Sequence, residues 1–127
     1  MAWELNSNQP IYSQIISKVT LDIISGVYKP GDRLPSVRDL AADAAVNPNT
    51  MQKALSELER TGLVSSNRTS GRFITDDVSM IDDLKRQMAL RYASDYINGI
   101  SRLGYNTDEA IALLRNVSCD EAVNEEE

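Results

Sequence analysis

The chain has 127 residues, 42% of them hydrophobic and 25% charged, a composition typical of a soluble globular protein with one compact domain and an appendage. It contains no histidine, which removes Ser-His-Asp and Cys-His catalysis and His-ligated zinc together, so no enzymatic activity, metal or cofactor is expected. The net charge of −6 is unevenly spread: residues 1–75 hold eight Lys/Arg against seven Asp/Glu, and residues 76–127 hold five against twelve, so an acidic total does not exclude anionic partners for the first part.

The N-terminal Met-Ala-Trp-Glu-Leu-Asn has neither the basic start nor the apolar run of a secretory signal. No stretch nears the roughly 18 apolar residues of a membrane span, so a cytoplasmic protein that does not engage membranes is expected. Residues 10–25 predict the first helix. Pro10 suits its first turn, and Ile11, Ile15, Val19 and Ile23 recur at four-residue steps, with Ile16 and Ile24 widening the stripe. Gly26 is a left-handed stop. Trp3 and Leu5 are expected to fold back on this helix as a clasp; a partner-facing Trp3 is the alternative.

After the Pro30-Gly31 turn signal, Ser36 caps a second helix, with Asp39 three residues on and Val37, Leu40, Ala41 and Ala44 on its apolar face. Asn47-Pro48 then restarts the chain as a third helix, a preferred cap followed by proline at the first position. Met51, Ala54, Leu55 and Leu58 line one side of it, and Gly62 ends it. Two amphipathic helices joined by so short a turn make either a helix-turn-helix or a plain helical hairpin. The next segment favours the former. Leu63–Ser65 and Arg72–Thr75 predict two short strands around 66–71, a hairpin tipped with Arg68, Thr69 and small polar residues, as a wing would be.

Beyond the wing, Met80, Ile81, Leu84, Met88, Tyr92, Tyr96, Ile100 and Leu103 fall on one face of a long helix. A break at Gly104-Tyr105 follows. Asn106 and Glu109 form a capping pattern opening a last helix with Ile111, Leu114 and Val117 inside. Two helices cannot bury such a stripe alone, so a two-fold homodimer is expected through Ile81, Leu84, Met88, Tyr92, Tyr96 and Ile100; packing on the chain's own first domain is the alternative. The pairs Asp76-Asp77 and Asp82-Asp83 read as helix-start charge, not as a metal site. Cys119 is single and cannot form an internal disulfide, which suits a reducing compartment. The organisation expected is therefore mainly α with a small β-hairpin wing: a winged helix-turn-helix over 1–75, a helical dimerisation segment over 76–118, and a disordered acidic tail over 119–127.

Four linked blocks resemble the GntR family of winged-helix transcription regulators: P-I-Y-S-Q-I from Pro10, G-V-Y-K-P-G-D-R-L-P-S-V-R-D-L-A from Gly26, V-N-P-N-T-M-Q-K-A-L-S-E-L-E-R-T-G-L-V from Val46, and S-G-R-F-I from Ser70. The tail G-Y-N-T-D-E-A-I-A-L-L is similar to the short YtrA-type branch, so the resemblance reaches about Asn116. It implies a bacterial regulator, a repressor, that binds double-stranded DNA at a palindromic operator as a homodimer. Contacts are implied at Ser36 and Arg38 on the second helix, at Asn47, Asn49, Thr50, Gln52 and Lys53 around the third, and at Arg68, Thr69 and Arg72 in the wing. The chemistry agrees: a recognition helix enters the major groove by its N-terminal end, Arg suits guanine, and Asn or Gln suits adenine. Family wings often carry glycine where Thr69 stands, which changes how deeply this wing would insert. No separate effector domain is expected after the wing, and the sequence names no effector. The rival reading, a winged helix that docks on protein, calls for an apolar exposed face, whereas Asn47, Asn49, Gln52, Lys53 and Ser56 are polar.

Overall fold

The computed structural model describes residues 3–67 and 69–117; Arg68 and the acidic tail, Cys119 included, lie outside the described residues. Five helices and one hairpin follow in chain order: α1 Ile11–Ile24, α2 Val37–Ala44, α3 Pro48–Thr61, β1 Val64–Asn67, β2 Gly71–Ile74, α4 Val78–Arg102 and α5 Thr107–Arg115. Residue contacts divide the chain into two units, 1–85 and 86–127.

In the first unit, α1 buries Ile15, Val19 and Ile23 as its four-residue spacing requires. They meet Leu40, Ala41 and Ala44 of α2 and Met51, Ala54, Leu55 and Leu58 of α3 in one hydrophobic core, closed below by Leu34, Leu63, Val64 and Ile74. Trp3 and Leu5 pack half-buried against that core, and Gln14 holds the segment down: its Oε1 accepts from the Asn6 N–H at 2.9 Å and its Nε2 donates to the Asn6 and Gln9 carbonyls. Asp22, the buried polar residue of α1, pairs one oxygen with Lys18 Nζ at 3.1 Å; among the described residues its other oxygen has no partner.

Ser36 accepts from the Asp39 N–H at 3.1 Å and opens α2, which stops at Ala45 in the left-handed conformation, φ 57°. A non-glycine there is unusual, and it reverses the chain within three residues so that Asn47 can start α3. Gly62, φ 91°, ends α3 and leads straight into the wing.

β1 and β2 pair antiparallel with Val64 opposite Ile74 and Asn67 opposite Gly71. The strands thus reach further toward the tip than the expected 63–65 and 72–75, because Asn67 itself organises the turn: its Oδ1 accepts from both the backbone N–H and the hydroxyl of Thr69 at 3.0 Å. A one-residue extension joins the far side of β2, with Arg33 bridging Phe73 and Leu34 N–H donating to the Arg72 carbonyl.

α4 starts on an Asp77 cap, whose Oδ1 accepts from the Met80 N–H. Its first turns belong to the first unit: Ile81 is buried in that core, and Met80 and Leu84 pack half-buried on it. Ile81 and Leu84, expected at the dimer surface, thus pack against the core of their own chain, Ile81 buried and Leu84 half-buried. The contacts part after Lys85.

The second unit is a helical hairpin. A full capping box, Asn106 with Glu109, opens α5, and the Tyr96 hydroxyl donates to the Ala110 carbonyl at 2.7 Å. Ala110 is buried between the helices, while Leu90, Tyr92, Leu103, Tyr105, Ile111, Leu114 and Val117 stand exposed. Among the described residues no helix is long and apolar enough to cross a membrane, and no group of acidic or sulfur side chains is placed to hold a metal ion.

Candidate nucleic-acid interface

The candidate surface is built by α2, the turn after it, α3 and the hairpin. Burying Met51, Ala54, Leu55 and Leu58 leaves the opposite side of α3 to Asn49, Gln52, Lys53 and Ser56, all exposed. That side is wholly polar. Gln52 Nε2 donates to Ser56 Oγ at 3.3 Å, a weak contact that leaves its amide oxygen without a partner among the described residues. Thr50 is half-buried toward the turn.

Two residues expected to contact DNA already serve the backbone. The Ser36 oxygen caps α2, and Asn47 Oδ1 accepts from the Asn49 N–H at 2.7 Å to cap α3. The caps leave the Ser36 O–H and the Asn47 amide N–H free to donate, the polarity a phosphate oxygen needs. Arg38 is exposed on α2 with no carboxylate within ion-pair distance among the described residues.

In the wing, Thr69 is exposed and held by Asn67, while Arg68 lies outside the described residues. Arg72, expected at the DNA, is paired within the chain. Its Nε donates to Glu59 of α3, the pair is largely shielded with side chains 17% and 27% exposed, and the guanidinium is thereby neutralised inside the chain. The pair ties β2 to α3. Glu59 is the residue that sequence reading passes over. It follows Leu55 by one helical turn on the face toward the hairpin, a signal readable once the hairpin's return is known.

Elsewhere on α3, the Arg60 guanidinium hydrogen-bonds Glu57, holding that carboxyl below the usual carboxylate range. The Tyr28 phenol is pushed up by burial first, then by the negative charges of Asp22 and Asp43. Neither group joins the polar side of α3.

Of the residues expected at the dimer surface, Met88, Tyr96 and Ile100 are half-buried and Tyr92 is 63% exposed in the second unit.

The family model described as "Bacterial regulatory proteins, gntR family" matches residues 11–74, which spans α1 to the end of β2. Among curated proteins, the HTH-type transcriptional regulator YhcF of Bacillus subtilis is 34% identical over 108 residues, 85% of this chain and 89% of its own. The HTH-type transcriptional repressor YtrA of the same organism is 46% identical over 71 residues, 56% of this chain and 55% of its own. Among solved structures, a GntR family transcriptional regulator from Listeria monocytogenes superimposes with a TM-score of 0.84 at 36% identity, covering 90% of this chain and all of that one.

Proposed function

The chain belongs to the gntR family of bacterial regulatory proteins, and from that premise we propose that it is a homodimeric repressor that recognises a palindromic operator. As a transcription regulator with a GntR DNA-binding domain it is not an enzyme. The observation that carries the reading is the division of α3 into a fully buried apolar side and a fully exposed amide, hydroxyl and ammonium side. Such a side suits base edges and phosphates and offers a protein partner no apolar anchor.

In this reading Gln52 and Asn49 meet base edges, Arg38 takes guanine, and Ser36, Asn47, Thr50, Lys53 and the wing residues Arg68 and Thr69 hold the phosphates. The exposed apolar residues of the second unit supply the dimer contact, with Tyr92 and Leu90 on α4 and Ile111 and Leu114 on α5. Two-fold symmetry then places half-site centres roughly one helical turn, about 10 base pairs, apart. Repression is taken from the printed name of YtrA, and a cytoplasmic site of action fits a chain of this kind.

Genomic fragments captured by the purified full chain and sequenced test the proposal, with light scattering for the oligomer. A shared palindrome and a dimer are the expected results. A single unrepeated half-site at saturation, or a monomer at micromolar concentration, overturns the symmetric arrangement.

A further inference from the structure

Among the described cations of the first unit, Arg33 is held in place without a carboxylate. Lys18, Arg60 and Arg72 each have an acidic partner. Arg33 has none within ion-pair distance among the described residues, yet it is far from free. Its backbone is the isolated bridge to Phe73, clamped on one side by the Leu34 N–H to the Arg72 carbonyl at 2.9 Å and on the other by the Ile74 N–H to the Asp32 carbonyl at 2.8 Å. Because Leu34 turns into the core, Arg33 must turn outward. Its guanidinium lies over Gly71, the first residue of β2: a Cβ built there would stand 3.3 Å from Nε and 3.4 Å from Nη2. The absent side chain of Gly71 is the seat of the guanidinium, besides allowing the φ of +99° at that position.

We propose that Arg33 is a phosphate-binding residue at the base of the wing, gripping the DNA backbone beside the segment that the wing crosses. The inference rests on the reading that α3 and the wing face DNA. Its chemistry follows from three properties. The charge is exposed and unneutralised among the described residues, so a phosphodiester gains its full attraction. The planar fork is seated by backbone and glycine, so little side-chain freedom is lost on contact. And the neighbouring wing guanidinium, Arg72, is neutralised by Glu59, so it does not supply this charge.

The test is a titration of wild type, Arg33→Gln, Arg33→Lys and Gln52→Ala against the genomically selected duplex and a scrambled one, at several salt concentrations, with unfolding midpoints as a check on folding. Arg33→Gln is expected to bind both duplexes about tenfold more weakly for each bound protomer, the worth of one charge-assisted hydrogen bond apiece. Its plot of log affinity against log salt is expected to flatten by about 0.9 for each bound protomer. Arg33→Lys keeps the slope and loses part of the affinity. Arg33→Gln with wild-type affinity and slope overturns the inference while Gln52→Ala, if it relaxes operator preference, leaves the DNA-facing reading standing. Loss confined to the selected duplex with an unchanged slope overturns it in favour of base contact. Wild type that binds neither duplex overturns both.

Discussion

Breaking the Arg72–Glu59 strut separates its structural role from DNA contact. At about 4 Å and an effective dielectric near 20, two unit charges attract by about 4 kcal/mol. Desolvating both groups and fixing two long side chains, each with up to about 2 kcal/mol of rotamer entropy, returns more than half of that. With the side chains 17% and 27% exposed, the pair lies between a surface pair worth about 0–1 kcal/mol and a buried one whose rupture costs about 3–5. A net coupling of about 1–2 kcal/mol is expected. Urea unfolding followed by circular dichroism, on wild type, Glu59→Gln, Arg72→Met and the double variant at one protomer concentration, yields it as a double-mutant cycle. The double variant should keep the wild-type salt slope on DNA, because it removes a positive and a negative charge together and leaves the local net charge unchanged. A coupling under about 0.3 kcal/mol, together with a flattened slope, would refute the strut and return Arg72 to the phosphates.

Three further outcomes follow from single residues. The raised Tyr28 pKa means the folded chain keeps the phenol proton to higher pH than the unfolded one, so stability is intact below pH of about 10 and falls as pH rises through the folded value; Tyr28→Phe should lose that decline, and parallel stability curves from pH 8 to 11 would contradict the assignment. Tyr96→Phe removes the hydrogen bond to the Ala110 carbonyl and should loosen α5 by about 1 kcal/mol, read as faster amide exchange in residues 107–115; unchanged exchange would mean the hydroxyl contributes nothing there. At Ala45, Gly should be nearly neutral, since relief of about 1 kcal/mol of left-handed strain is offset by chain entropy, whereas Val should cost about 1–2 kcal/mol; a wild-type midpoint for Ala45→Val would show that the turn does not require φ 57°.

What could be read from the sequence was local. Ser36, Asn47 and Asn106 announce helix starts because a cap acts on backbone two or three residues away, and all three cap in the structure. The polar side of α3 is legible for the same reason, since one helix's periodicity contains it. Features that need a second element are not. Glu59 and Arg72 meet only because the hairpin folds back on α3, and Arg33 reaches Gly71 only once the chain before α2 has joined β2. The stripe from Met80 to Leu103 shows the limit most clearly. Its spacing says that something covers it but not what, and the first turns are covered by the chain's own core while Tyr92 and Leu103 stay exposed.

The clasp at the N-terminus has a spectroscopic consequence. Trp3 is the single tryptophan of the chain, and it rests half-buried against the core that α1, α2 and α3 share. Its indole emission is therefore a private signal of the first unit: a red shift reports release of the residues 3–9 from α1, whatever the second unit is doing. The helical hairpin of α4 and α5 contributes only tyrosines, Tyr92, Tyr96 and Tyr105, whose emission can be excited apart from the indole's only as a difference. Unfolding watched through tryptophan and through helix content will thus coincide only if the two units melt together, and any gap between the curves measures how independent they are.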